Sequence, residues 1–480
     1  LKSANIEEFP YLLDGQWQMS NSSRYIDIHC PYKPLVVGRV PAMTADEAGS
    51  AVLSAERAQK LWAAVPLHER AGLLYAWADE LQRMADEIAE FIMLEVGKSR
   101  AAALAEIERS ADLVRHTAEE GRRLGGELIR GDAYPGSKPG KTALIDKVPL
   151  GVVLAISPFN YPVNLSVSKV APALITGNTV VLKPPTQGSI SALLAARALH
   201  RAGCPPGVLN VVTGRGADIG DVLTSHTSVR CISFTGGTAT GRAICRKANM
   251  IPVILELGGK DPAIVLEDAD LQLAAREIVS GAFSYSGQRC TAIKRVLVAE
   301  PVAEPLIELL RCGIERLRVG SPEEQADITP LIDTQAADKV SNLIREALDE
   351  GARLIIGNRR DGNLIYPTLL DGVTERMRVA WEEPFGPVLP VIRVRDEEEA
   401  IRWANASEFG LQASIFTRDV QSALAIAKRL EVGSVQLNRR TERGPDHFPF
   451  LGIKSSGLGV QGIRRSIETM VRDKVTVLQE

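Results

Sequence analysis

The chain has 480 residues, with 45% hydrophobic and 24% charged, the make-up of an ordinary globular protein rather than a collagen-like, disordered or low-complexity one. Its 56 basic and 59 acidic residues leave a net charge of −3, which creates no field for nucleic acid or an anionic membrane, so any anion recognition is local. No run approaches the ~18 apolar residues of a membrane span. Residues 1–5 carry no basic-then-apolar leader, and six cysteines without a Cys-x-x-Cys pair point to a reducing, cytoplasmic setting.

From 45 to about 121, apolar residues such as Leu73, Trp77, Leu81 and Ile88 recur at helical spacing and predict a helical opening segment. Gly125, Gly126, Gly131 and the passage 135–140 break that pattern before 142–148, a predicted strand in a protruding hairpin. Short β-branched runs then alternate with helical ones, with strands at 152–156, 179–182, 209–212 and 229–234 and helices at 188–201 and 240–248. That alternation predicts a parallel, doubly wound sheet. A second α/β series begins near Glu256, with strands at 262–266, 292–298, 388–394 and 413–417 and helices at 302–318 and 420–430. The tail at 473–479 alternates apolar and polar residues and is expected to pair with the hairpin of this or another subunit. No repeat with a period of about 20 to 50 residues is present, which disfavours a solenoid or propeller.

Two glycine turns follow predicted strands. Gly214-x-Gly216-x-x-x-Gly220 is one residue longer than the dinucleotide fingerprint, and Phe234-Thr235-Gly236-Gly237-Thr238 opens a helix whose first N–H groups suit a phosphate. Each alone is also compatible with a ligand-free turn; together they favour a nucleotide. The six histidines are scattered without metal-ligand spacing, so no metal is expected, and neither a kinase phosphate loop nor a Gly-x-Ser-x-Gly elbow occurs.

Cys30, Cys204, Cys231, Cys245 and Cys312 read as small core hydrophobes. Cys290 differs, because Gly287-Gln288-Arg289-Cys290-Thr291 surrounds it with polar and cationic neighbours, and Arg289 is placed to favour the attacking thiolate. Glu256, flanked by Leu255 and Leu257 at a strand end, has the apolar setting of a general base, an ion pair being the alternative.

These residues carry a family resemblance. Glu-Leu-Gly-Gly-Lys at 256–260, 34 residues before the Cys290 of Gly-Gln-Arg-Cys, resembles the aldehyde dehydrogenase superfamily. So do Ile-Ser-Pro-Phe-Asn-Tyr-Pro (156–162), Gly-Asn-Thr (177–179), Phe-Thr-Gly (234–236) and Glu-Glu-Pro-Phe-Gly-Pro (382–387), in an order that spans nearly the whole chain. The resemblance implies an α/β fold: a Rossmann-type NADP-binding domain (1–124 and 149–255), an α/β catalytic domain (256–445), and a β oligomerisation flap with C-terminal tail (125–148 and 446–480). It implies a homo-oligomer, dimer or tetramer. The segments 183–189, 287–295 and above all Thr-Glu-Arg-Gly-Pro-Asp-His-Phe-Pro-Phe (441–450) are similar to the non-phosphorylating, NADP-dependent glyceraldehyde-3-phosphate dehydrogenases of that superfamily. Many superfamily members place an acidic residue in a Gly-Arg-Glu stretch near the C-terminus, whereas here Gly459 is followed by Val460 and Gln461.

By the resemblance, Cys290 attacks the aldehyde, Asn160 and the Cys290 N–H hold the oxyanion, Glu256 activates the water that hydrolyses the thioester, and Lys169 supports the site. Lys183, Thr186, Gly216, Thr235, Gly236 and Thr238 are implied for the adenosine and phosphates, and Glu383 and Phe385 for the nicotinamide ribose and ring. Arg109, Tyr161, Arg289, Thr291 and Arg443 are implied for a phosphorylated substrate, with surface salt bridging the alternative for the arginines. Thr186 stands where NAD-preferring relatives commonly carry Glu, which favours NADP while leaving NAD possible; a helix cap is its other reading. The expected activity is oxidation of glyceraldehyde 3-phosphate to 3-phosphoglycerate. The alternative is oxidation of another small aldehyde, such as succinate semialdehyde or lactaldehyde. Acyl transfer to coenzyme A is disfavoured because a deacylating base serves hydrolysis, and a non-catalytic binding protein because every residue the mechanism needs is present.

Overall fold

A computed structural model describes residues 6–136 and 140–479; the N-terminal reading of residues 1–5 and the 137–139 part of the Gly-rich passage lie outside the described residues. The helical opening is four helices, α1 (Ala45–Ala64), α2 (Leu67–Arg83), α3 (Ala85–Val96) and α4 (Arg100–Gly121). Thr44 and Glu47 form a capping box at the start of α1, and Gly97 in the left-handed region ends α3.

Five parallel strands follow: β1 (Val152–Ile156), β2 (Thr179–Lys183), β3 (Leu209–Val211), β4 (Val229–Thr235) and β5 (Val253–Glu256). Between them run α5 (Asn164–Ile175), α6 (Ser189–Arg201), α7 (Gly216–Thr224) and α8 (Thr238–Lys247). The sheet order is β3-β2-β1-β4-β5, extended by the antiparallel strands Tyr11–Leu13 and Gln16–Gln18 beside β3 and by Gly457–Leu458 beside β5. Both faces are covered, as in parallel sheets generally. Val153 and Ala155 face a core with Trp77, Ile107, Val167 and Leu193, while Val152 and Leu154 face another with Val52, Ile219 and Ile244.

A second sheet of seven strands, all parallel except the edge strand Arg353–Ile356, is centred on Pro262–Val265, Arg295–Ala299 and Val388–Val394. The tail strand Val471–Gln479 pairs antiparallel with this chain's own Lys141–Pro149, which pairs in turn with Glu127–Arg130. The hairpin and tail therefore form one three-stranded sheet within this chain. Among the described residues no helix is long and apolar enough to cross a membrane. All six cysteines are free thiols, and two lie outside a core against expectation: Cys245 is exposed on the solvent side of α8, and Cys312 is only half-buried, its thiol donating to Glu308 Oε1 at 3.4 Å.

Candidate active site

The strand order reverses between β1 and β4, and an open α/β sheet binds its ligand at such a switch point, outside the carboxyl ends of the strands. A cleft of about 880 Å³ lies there, within the ~300–1,000 Å³ of ordinary ligand sites. Each strand contributes the residues just past its end: Pro158 to Asn160 after β1, Pro185 and Thr186 after β2, Gly216 after β3, Gly236 after β4 and Gly258 after β5. Cys290, Glu383 and Phe385 also line it, so the fold brings the expected nucleophile and every expected dinucleotide residue but Thr238 into one space.

Lys183, at the end of β2, is buried with one hydrogen bond, to the Pro184 carbonyl at 3.2 Å, and no carboxylate partner among the described residues. Burial pulls its ammonium down to about 8. An unpaired buried cation on a cleft wall suits an anionic ligand. Neither α7 nor α8 has a side-chain cap at its N-terminus, so first-turn N–H groups stay available for phosphate oxygens. The capping alternative for Thr186 fails: α6 begins at Ser189 with Gly188 as its N-cap, and the Glu95 carboxylate takes the Ile190 and Ser191 N–H groups at 2.9 and 2.7 Å. Thr186 is left on the cleft wall. Thr238 is not; its hydroxyl donates to the Ser455 carbonyl at 3.2 Å, which corrects its expected cofactor contact.

The loop that carries Cys290 is strained into place. After α9 (Leu271–Phe283), Tyr285, Ser286 and Gly287 adopt φ of 52°, 53° and 71°, a run of left-handed backbone of the kind stored at functional sites at roughly 1–3 kcal/mol per non-glycine residue. Gly287 tolerates this angle, and any Cβ there would lie 2.6 Å from the Gly386 carbonyl oxygen, so the Cys290 and Phe385 loops approach backbone to backbone. Asn160 Nδ2 donates to the Gln288 carbonyl at 3.0 Å, which fixes the amide beside Cys290 with its second N–H still to spend. Phe385 packs edge-on against Phe159, ring centroids 5.8 Å apart.

Burial, then Glu256, push the Cys290 thiol up to about 12. The opposing cation is Lys294, not Arg289. Lys294 Nζ donates to the Cys290 carbonyl and lies 3.3 Å from Glu383 Oε1, which accepts the Gly259 N–H at 3.1 Å. Arg289 is turned away, its Nη2 on the Gly281 carbonyl at 2.6 Å, and borders neither this cleft nor the cavity described next.

Glu256 ends β5 and is an ion-paired carboxylate: Arg443 Nη1 lies 2.8 Å from both of its oxygens. Thr235 Oγ1 donates to Glu256 Oε2 at 3.2 Å and accepts from Lys169 Nζ at 2.6 Å, so the Thr235 hydroxyl is spent between the carboxylate and the lysine rather than on a phosphate. Burial first, then Arg443 among its neighbours, lowers the Lys169 ammonium to about 8, with Glu256 and Cys290 opposing. Arg443 also lines a second cavity of about 700 Å³ with Arg109, Asp446 and His447. Arg109 is held by Asp446 through two bonds of 2.6 and 2.8 Å.

Of the other expected substrate residues, Tyr161 lies under Lys98 Nζ, 3.5 Å from its ring centroid. Thr291 is buried, its carbonyl accepting from Thr441. Neither is on the cavity wall, because both side chains are already packed. Sequence reasoning missed Lys294 and Asp446, though both lie inside the motifs at 287–295 and 441–450 that carried the resemblance; Gln461, noted there only for standing where relatives carry an acid, contacts Arg443. Among the described residues no cluster of metal ligands occurs.

The aldehyde dehydrogenase family model matches residues 17–476. A NADP-dependent glyceraldehyde-3-phosphate dehydrogenase of Streptococcus equinus is 52% identical over 98% of both chains, and one of Triticum aestivum 51% identical over 98% of this chain and 95% of its own. The crystal structure of a NADP-dependent glyceraldehyde-3-phosphate dehydrogenase from Bacillus halodurans, complexed with NADP, superposes with a TM-score of 0.98 at 57% identity, covering 98% of this chain and 99% of that one. The chain belongs to the aldehyde dehydrogenase family.

Proposed function

We propose that this protein oxidises glyceraldehyde 3-phosphate to 3-phosphoglycerate with reduction of NADP, through a thioester on Cys290 that water hydrolyses. The observation that carries the reading is the juxtaposition of Cys290 and Asn160 in a dinucleotide-sized cleft with a separate cavity lined by Arg109 and Arg443. The names of its relatives support it.

The chemistry follows from the residues. Cys290 Sγ adds to the aldehyde carbon, and the Asn160 amide with the Cys290 N–H receives the oxyanion, the stabilisation that usually contributes most in acyl chemistry. When bound, NADP supplies the acceptor for the hydride. Lys183, Thr186, Gly216 and Gly236 would hold its adenosine and phosphate end, and Glu383 and Phe385 its nicotinamide end. Glu256 then takes a proton from the attacking water. Thr235 and Lys169 keep that carboxylate oriented. Arg109 and Arg443 would receive the substrate phosphate.

The division into NADP-binding, catalytic and flap domains belongs to the same proposal. Leu128, Ile129, Val475, Val477 and Leu478 are exposed on the three-stranded flap, an apolar surface that supports a homo-oligomer. Six free thiols support a reducing, cytoplasmic setting. An aldehyde panel assayed for NADPH absorbance, with NAD and NADP and with and without inorganic phosphate or coenzyme A, tests the reading. Preference for glyceraldehyde 3-phosphate with NADP, with no requirement for phosphate or coenzyme A, is the expected outcome.

A further inference from the structure

The mechanism leaves the Glu256–Arg443 pair unexplained. The Glu256 carboxylate accepts twice from Arg443 Nη1 and once from Thr235, which fills three of its roughly four lone-pair sites. The side chains are 3% and 12% exposed, so water does not compete. Arg443 is held from its other edges too, Nη2 on Gln461 Oε1 at 2.9 Å and Nε 3.7 Å from Asp446 Oδ1. A general base bound in this way has little left with which to accept a proton from water.

Arg443 also lines the cavity it shares with Arg109. A phosphate there carries ~1.5 to 2 negative charges against the single charge of Glu256, and offers three oxygens in the geometry a guanidinium prefers. We propose that Arg443 is a latch: it restrains Glu256 in the substrate-free enzyme, and the phosphate of the enzyme-bound acyl group draws it off and frees the carboxylate. The latch rests on the reading of a phosphorylated aldehyde given above. In the step it controls, a water oxygen bonds to the acyl carbon as Glu256 takes one water proton. The C–S bond breaks with its electron pair leaving on Cys290 Sγ, and the acid product ionises by losing the second proton.

The latch makes a prediction opposite to that of a simple anion clamp, and it concerns the substrate that lacks the anion. The measured quantity is the hydrolysis rate of the thioester formed from unphosphorylated glyceraldehyde, in single turnover by the full chain with NADP. In the wild type, inorganic phosphite should accelerate that hydrolysis about tenfold or more, freeing a general base being worth ~10²–10⁴ at most. Arg443→Gln should hydrolyse the same thioester faster than wild type without phosphite, and phosphite should add nothing. Wild-type hydrolysis indifferent to phosphite, a measurement that needs no variant, overturns the latch; so does an Arg443→Gln rate at or below wild type in a protein that still binds NADP. The wild-type preference for glyceraldehyde 3-phosphate over glyceraldehyde is measured alongside. A ratio near one removes the proposed substrate, whereas a high ratio with unchanged hydrolysis rates removes the latch alone.

Discussion

Replacing Lys183 by Met keeps the length of the side chain and removes its charge, and the structure sets the size of the effect. Burial takes the ammonium from its ordinary 10.5 to about 8. At 1.36 kcal/mol per unit, the charged form carries a penalty of about 3 kcal/mol in the free protein, which a bound phosphate is placed to relieve. A charge-assisted contact is worth ~1.5–3 kcal/mol, so Lys183→Met should weaken NADP by about 10- to 150-fold, measured as Kd by fluorescence titration, and weaken NAD far less. The sign of the pH dependence follows. Below about 8 the ammonium is protonated and pairs with a phosphate; above it the lysine is neutral, so the NADP-to-NAD affinity ratio should fall as pH rises through 8 and be flat in the variant. Stability runs the other way in the free protein. A lysine with a lowered value binds fewer protons folded than unfolded, so the wild type gains stability between about 8 and 10.5 and the variant loses that gain. Equal weakening of both cofactors, or a ratio unmoved by pH, would refute the reasoning.

Glu256→Gln should keep a stopped-flow burst of NADPH while steady turnover drops ~10²-fold, and Cys290→Ala should show no burst; turnover by Cys290→Ala would remove the covalent route. Thr186→Glu, on the cleft wall beside Lys183, should shift preference toward NAD through repulsion of phosphate that added salt partly screens, and an unchanged ratio of affinities would sink the cofactor role. Glu95 is raised from 4.5 to about 7 by burial, its hydrogen bonds to Ile190 and Ser191 opposing. Its folded value lies above the unfolded one, so stability present below pH 4.5 is lost as pH rises to about 7, and Glu95→Gln should flatten the denaturation midpoint over that interval.

The sheet at the centre of the fold was legible because its strands are β-branched runs separated by helical ones, a local signal. Elements with no local signal were not. Tyr11–Leu13 and Gln16–Gln18 are three residues each, too short for alternation, and the first is placed by Leu12 pairing with Val211 across the length of a domain. The helix Asn164–Ile175 is buried on every side and contains Pro172, so it shows neither an amphipathic stripe nor clean helical composition. The tail was readable as a strand, yet its partner depends on a register, Val471 opposite Pro149, that no local pattern encodes.

The candidate site divides along the same line, and its arginines show why. Cys290 and Glu256 stood out as candidates from their immediate neighbours, whereas Asn160 came from the resemblance of the motif around it. Charge pairing is different, since a guanidinium finds its partner in space: 187 residues separate Glu256 from Arg443, and 337 separate Arg109 from Asp446. Adjacency misled at Arg289. Successive residues of the tight loop project differently, so the cation next to Cys290 in sequence reaches back to Gly281, and Lys294, four positions on, reaches the Cys290 carbonyl. The opposite holds at position 461, where composition was informative once the fold was known. An acidic residue there would sit against Arg443 Nη2 and compete with Glu256 for the guanidinium, whereas the neutral Gln461 accepts a single bond and leaves the ion pair with Glu256 intact. Gln461→Glu should therefore loosen Arg443 from Glu256 and raise hydrolysis of the unphosphorylated thioester in the same direction as Arg443→Gln, while keeping the cation. A slower thioester hydrolysis in Gln461→Glu would mean that the new carboxylate acts on the water or on Lys169 instead, and that the competition between carboxylates for Arg443 does not set the rate.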